Sequence, residues 1–183
     1  KVVQDYISIK LGVVREFNKY KTTKNFSKNI KKSIFSNIKK KLVKNSFFSQ
    51  LTCSDFTIIA NGGTPTTLAA IKIKKKKYNR NLVNGKKLSI SYIKSIHELL
   101  MTMDPGERLK LNGMEKGREI VIIYGLFILL SILWVLKKRV LYVSDSGVLE
   151  GLVQESNWFL FFHDYIETGV FYDRRWFKKR RIK

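Results

Sequence analysis

The amino-acid sequence predicts a mainly α-helical protein with a single transmembrane helix, a basic and partly irregular N-terminal region, and an aromatic and basic C-terminal extension. Residues 120–136 read IVIIYGLFILLSILWVL and contain no charged side chain. Basic residues flank this stretch, and the whole chain has 36 Lys and Arg against 14 Asp and Glu, a formal net charge of +22. The predicted domains are a basic extramembrane region at 1–117, the transmembrane helix with its flanks at 118–143, and the extension at 144–183.

The N-terminal region combines many lysines with regularly spaced apolar residues. Phe26, Ile30, Ile34, Ile38 and Leu42 recur every four positions, and lysines occupy the other faces. This spacing predicts a basic amphipathic helix near 26–42. It is typical both of a surface helix that docks on its own domain and of a helix that faces a membrane surface or RNA.

Residues 51–70 contain no lysine or arginine, so the composition changes abruptly there. We expect a short strand and turn near 56–73, with a buried strand at 56–60 and an alternating, strand-like pattern at 71–73. The turn at 61–65, NGGTP, can in principle present backbone N–H groups to a phosphate. Because it lacks the spacing of a P-loop or of a dinucleotide-binding loop, the sequence favours a plain turn.

The densest basic patch of the chain spans residues 72–80. Lysines at an exposed strand edge suppress aggregation by strand pairing. They also suit contacts with phosphate groups or with an acidic partner surface. The candidate partner or polyanion contacts in this patch are Lys74, Lys75, Lys76, Lys77 and Arg80.

The predicted transmembrane helix would cover about 25 Å, near the lower limit for the hydrocarbon core of a bilayer. Long basic side chains at its ends can reach the head groups. The alternative is a helix buried inside a protein core, which we favour less because the rest of the chain is highly charged. The candidate contacts with the membrane, including anionic lipid such as cardiolipin, are Arg118, Trp134, Lys137, Lys138 and Arg139.

The C-terminal extension carries the aromatic cluster WFLFF at 158–162 and ends in RRWFKKRRIK. Aromatic rings interleaved with basic side chains suit anionic lipid, a partner subunit or single-stranded RNA, and the nearby apolar stretch favours the first two. The candidate partner or polyanion contacts here are Trp158, Phe159, Arg174, Arg175, Trp176, Arg180 and Arg181.

The sequence predicts no catalytic, cofactor-binding or metal-binding site. His97 and His163 lie far apart and lack companions at a ligand or triad spacing, and Cys53 is the only cysteine. None of the motifs HExxH, GxSxG or CxxC occurs in the chain. We therefore expect a protein that is not an enzyme and that needs no cofactor.

These observations favour a structural subunit of a multi-subunit membrane complex that acts in assembly and stabilisation. The abundance of Lys, Asn, Ile and Phe is typical of an adenine- and thymine-rich gene, of an organelle or of a very AT-rich nucleus. Together with the predicted transmembrane helix, it suggests a mitochondrial respiratory-chain complex or ATP synthase of the inner membrane. The expected partners are the other subunits of that complex. The alternative is an organellar ribosomal protein that binds rRNA through its basic segments. A third hypothesis is a membrane-tethered recruiter of ribosomes or nucleic acid.

Overall fold

The computed structural model describes residues 5–52, 55–75, 77–147 and Glu150. The chain divides into a unit at Lys1–Gly147 and a second unit at Val148–Lys183. The helices and strands reported below all belong to the first unit. The predicted contacts of the C-terminal extension lie outside the described residues: Trp158, Phe159, Arg174, Arg175, Trp176, Arg180 and Arg181.

The first unit combines helices with a small sheet. In chain order the elements are α1 (Val13–Tyr20), α2 (Lys28–Val43), α3 (Ser46–Leu51), β1 (Ile59–Asn61), α4 (Gly63–Ile73), α5 (Arg80–Val83), β2 (Lys87–Ser89), α6 (Ile90–Thr102), α7 (Pro105–Leu109), α8 (Ile122–Val135) and β3 (Val140–Ser144). Residues 71–73, for which the sequence suggests a strand-like pattern, form the last part of α4.

The sheet is mixed and has the strand order β1-β3-β2. β3 runs parallel to β1, with Asn61 opposite Ser144. It runs antiparallel to β2, with Leu88 opposite Leu141. Because two parallel strands need a crossover connection, the chain between β1 and β3 passes through helices, and α4 packs on both strands. The fold is therefore α/β, and the prediction of a mainly α-helical chain is wrong.

The stretch predicted to span a membrane forms α8, the central helix of the protein core. α8 has 14 residues and packs against α1, α2, α4 and α6. Within the described ranges, no helix is long and apolar enough to cross a membrane. The prediction of a transmembrane helix is therefore wrong. The buried residues of α8 are Ile122, Ile123, Tyr124, Gly125, Leu126, Phe127, Leu130, Ser131, Leu133 and Val135.

The helices around α8 enclose it although their composition is basic. In α2, Ile34, Ile38 and Leu42 are buried, whereas Lys28 and Lys32 on the other side are exposed. A helix needs only one apolar stripe to cover a neighbour, because residues three or four positions apart share a face. The high charge of the flanking sequence therefore does not prevent it from forming the layer around an apolar helix.

A buried arginine joins the segments that precede α8. Arg108 is 0% exposed, and its guanidinium donates hydrogen bonds to the carbonyl oxygens of Leu100 at 2.8 Å, Met103 at 2.9 Å and Glu119 at 2.9 Å. It also donates to the carbonyl oxygen of Thr23. Because these partners satisfy its N–H groups, the buried charge is tolerated, and the chain leading into α8 is held in place.

Candidate functional site

Polar residues collect at the edge of the sheet where the two parallel strands end. β1 ends at Asn61 and β3 ends at Ser144. The side-chain amide of Asn61 donates a hydrogen bond to the carbonyl oxygen of Ser146, which joins the two following loops. In α/β sheets, ligands bind outside the carboxyl ends of the strands, so this edge is the candidate binding site.

The turn after β1 begins helix α4 directly. Gly62 has φ +100°, a conformation that favours glycine. Gly63 and Thr64 are the first residues of α4, so their N–H groups lack intrahelical acceptors. Among the residues with described positions, no other group accepts a hydrogen bond from either. These N–H groups and the positive end of the helix dipole provide binding contacts for an anionic oxygen.

Arg118 lies against this turn. A Cβ atom on Gly63 would overlap the guanidinium group of Arg118, so glycine at position 63 permits the close approach. Nε of Arg118 also donates a hydrogen bond to the carboxylate of Glu115, which orients the guanidinium. The turn and Arg118 therefore present backbone and guanidinium donors in one place, a combination suited to phosphate oxygens.

Asp145, directly after β3, binds the connection between α4 and α5. Nη2 of Arg80 donates to the carbonyl oxygen of Asp145 at 3.0 Å, and its Nε lies 3.7 Å from the carboxylate. Tyr78 hydrogen-bonds to the same carboxylate. Burial and this contact raise the pKa of Tyr78 to about 12, and the charges of Glu115 and Arg118 also affect it. The charges of Asp145, Glu115 and Arg118 therefore all act on Tyr78.

This edge offers no evident metal centre. The described part of the chain contains no group of three or more His, Cys, Asp or Glu side chains that could hold a metal ion. Its two carboxylates at the edge, Glu115 and Asp145, each pair with an arginine. The arrangement is suited to binding an anion through N–H and guanidinium donors.

The structure separates the predicted lipid contacts. Arg118 lies at the Gly63 turn, whereas the others lie at the end of α8 and before β3: Trp134, Lys137, Lys138 and Arg139. Nζ of Lys39 lies 3.5 Å from the centroid of the Trp134 ring. Lys138 pairs with Asp55 at 3.3 Å. These contacts are with protein groups, and the transmembrane helix that motivated a role in lipid binding is absent from the described residues.

Of the predicted polyanion contacts, Lys74, Lys75 and Lys77 lie between α4 and α5, whereas Arg80 begins α5 and binds Asp145 after β3. Lys76 lies outside the described residues. The residue spacing at 61–65 favours a plain turn over a phosphate-binding turn. Tyr78 and Asp145 are not predicted from the sequence, because their meeting depends on pairing of the strands. One local signal for the turn is present in the sequence. A strand-like run before the NGGTP turn changes there to apolar residues that are compatible with a helix.

A sequence model described as the Ppx/GppA phosphatase family matches residues 1–157 of the chain. This chain belongs to the Ppx/GppA phosphatase family. A crystal structure of the Aquifex aeolicus Ppx/GppA phosphatase, the type II variant, is 30% identical, with a TM-score of 0.72 and coverage of 83% of this chain and 49% of that chain. A second Aquifex aeolicus PPX-GPPA enzyme structure is 30% identical, with a TM-score of 0.74 and coverage of 85% and 50%.

An exopolyphosphatase from Cytophaga hutchinsonii shares the fold at 18% identity, with a TM-score of 0.65 and coverage of 78% of this chain and 46% of that chain. The chain thus spans about half the length of the solved structures that it matches. No curated protein matches it.

Membership in this family overturns the functions predicted from the sequence. The chain is neither a structural subunit of a mitochondrial membrane complex nor an organellar ribosomal protein. The expectation of a non-enzymatic protein is wrong, because its relatives are phosphatases. The predicted partners, which were membrane subunits, cardiolipin and rRNA, and the predicted location in the mitochondrial inner membrane are wrong for the same reason.

Proposed function

We propose that this chain takes part in hydrolysis of a phosphorylated substrate and that it binds a phosphate group of that substrate at the turn of Gly62, Gly63 and Thr64, beside Arg118. The observation that supports this most strongly is the position of an oriented guanidinium against Gly63, the first residue of α4. Because the chain belongs to a phosphatase family, such a cluster of anion-binding donors is suited to hold a phosphate group of the substrate.

The chemistry of phosphate transfer explains why these donors would be useful. Phosphoryl transfer spreads negative charge over the oxygens of the transferred group, and catalysis depends largely on positioning and on electrostatic stabilisation. Gly63 and Thr64 supply N–H donors from a helix N-terminus, and Arg118 supplies a charged donor. Glu115 holds the guanidinium in one orientation before the substrate arrives, which reduces the entropy lost on binding.

The experiment is a calorimetric titration of the 183-residue chain with inorganic phosphate and with tripolyphosphate. We expect Arg118→Gln to weaken binding of both ligands about tenfold, because it removes a charge-assisted hydrogen bond. Arg139→Gln is the matched control, since Arg139 is exposed and precedes β3 at the opposite edge of the sheet. Equal affinities of Arg118→Gln and the unmodified chain would contradict the proposal.

A further inference from the structure

A groove lies at the end of α4 opposite the turn that carries Gly63. Its volume is about 460 Å³, and its walls come from the last part of α4, from α6 and from the segment after α7. None of the residues that line it belongs to the candidate phosphate site. Because α4 has 11 residues, and a helix rises about 1.5 Å per residue, the groove and the phosphate site are separate surfaces.

The walls of this groove are mostly apolar. Tyr92, Ile96 and Leu99 are four and then three positions apart, so they share one face of α6. Ile71 of α4 and Leu111 after α7 lie across from them. Ile96 is only 7% exposed, whereas Leu99 is 48% exposed. Covering Leu99 with another apolar surface would therefore be favourable, and a groove beside a helix face suits an amphipathic partner helix.

The charged side chains that line the groove are both lysines. Lys72 and Lys74 are exposed, and no Asp or Glu lines the groove. Within the described ranges, no carboxylate pairs with either lysine. Nζ of Lys72 donates a hydrogen bond to the carbonyl oxygen of Lys87 at 3.0 Å and lies 5.1 Å from the centroid of the Tyr92 ring. These contacts hold its positive charge beside the apolar wall, where it complements an occupant that carries carboxylates.

The charges and the aromatic ring of the groove favour a protein occupant other than a second copy of this chain. Each copy has a formal net charge of +22 and the same two lysines, so two copies would repel each other. Single-stranded nucleic acid would need an aromatic ring free to stack on bases. The hydroxyl of Tyr92 donates to the carbonyl oxygen of Leu68 at 2.9 Å, and Lys72 already contacts its ring.

We propose that the groove docks an acidic amphipathic helix of a partner protein. The apolar side chains of that helix pack on Ile96 and Leu99, and its carboxylates face Lys72 and Lys74. This inference goes beyond the proposed function and does not depend on phosphate binding. The partner would therefore bind on a surface that leaves the turn at Gly63 open.

The test is a fluorescence anisotropy titration of a labelled peptide with the 183-residue chain. The peptide has about 15 residues, the length at which an isolated helix becomes marginally stable, with leucines on one face and glutamates on the other. Leu99→Ser combined with Lys72→Gln and Lys74→Gln should weaken binding at least about tenfold, because an apolar contact and two charge pairs are lost. All three side chains are exposed, so the midpoint of urea denaturation should not change.

The matched control variant combines Val43→Ser with Lys40→Gln and Lys44→Gln. These side chains are exposed at the end of α2, so the control removes the same charge and one exposed aliphatic side chain elsewhere. It should bind the peptide as the unmodified chain does. Two control peptides, one with lysines in place of glutamates and one with alanines in place of leucines, should bind at least about tenfold more weakly.

Each other outcome overturns the inference. Equal losses for the groove and control variants would mean general charge attraction, and equal binding of either control peptide would remove the need for carboxylates or for apolar contacts. Absence of peptide binding would also refute the docking site. Self-association of the chain in sedimentation, abolished by the groove variant, would make a second copy the occupant. None of these results bears on Arg118→Gln and phosphate, so the proposed function is tested separately.

Discussion

Helix α8 and the carboxyl edge of the sheet have opposite physical characters although they touch. α8 is apolar on all sides and is held by packing, whereas the edge is built from glycines and paired charges. The two regions meet where Gly125 of α8 lies so close to the side chain of Thr64 that a Cβ at position 125 would overlap it. The core therefore determines whether the site can form, while the edge determines what the folded protein binds.

The largest expected effect comes from removing apolar volume from α8. Leu126 is 0% exposed, so Leu126→Ala should lower the free energy of unfolding by about 3 kcal/mol through lost burial and the resulting cavity. Urea denaturation measures this change. Leu129→Ala is the matched control, because Leu129 is only partly buried. A loss for Leu126→Ala no greater than that of the control would show that α8 is less important to the core than its burial implies.

A second effect in the core depends on pH. His97 is 6% exposed, its ring centroid lies 4.4 Å from that of Phe127, and its Nε2 has no hydrogen-bond partner in the described structure. Burial, together with the charge of Lys31, lowers the pKa of His97 from its ordinary value of 6.5 to about 4. The folded protein therefore keeps His97 neutral at pH values where the unfolded chain already binds a proton.

The sign follows from this difference in proton binding. As the pH falls from about 6.5 to about 4, protonation favours the unfolded state, so His97 should reduce the free energy of unfolding by up to about 3 kcal/mol. His97→Leu should remove this part of the pH dependence, measured as the difference between the two proteins in urea denaturation at pH 7 and pH 4. Parallel pH profiles for the two proteins would argue against a neutral, buried histidine.

The smallest effect on stability is expected at the sheet edge. Gly63→Ala introduces a Cβ that overlaps Arg118, but the end of that flexible side chain can move away. We expect the free energy of unfolding to change by less than about 0.5 kcal/mol, while phosphate affinity falls about fivefold because the guanidinium is displaced. Calorimetry and urea denaturation measure the two quantities separately.

The control for this substitution is Gly12→Ala, because no atom lies within 4 Å of a Cβ at position 12. It should leave both quantities unchanged. Strong destabilisation by Gly63→Ala would contradict this expectation, because it would show that position 63 contributes to the stability of the core. Unchanged phosphate affinity of the Gly63→Ala variant would show that Arg118 does not contribute to ligand binding.

Features that depend on neighbouring residues are visible in the sequence, whereas features that depend on distant contacts are not. The four-residue apolar spacing predicts a helix near 26–42, and the structure has α2 at Lys28–Val43 with Ile34, Ile38 and Leu42 buried. The charge of the same region led to the wrong conclusion about α8, because composition does not show that each basic helix buries one apolar stripe. The NGGTP turn was visible in the sequence, but Arg118, which gives it an anion-binding character, lies more than 50 positions away.

Neighbouring side chains and the period of the helix are enough to show that residues 120–136 avoid water and that α2 has one apolar face. Tertiary packing, in contrast, is what surrounds α8 with protein rather than lipid. The same packing brings Gly63 to Arg118 and Tyr78 to Asp145. Burial and site geometry arise from contacts between distant parts of the chain, which the parallel pairing of β1 with β3 and the packing of the helices bring together.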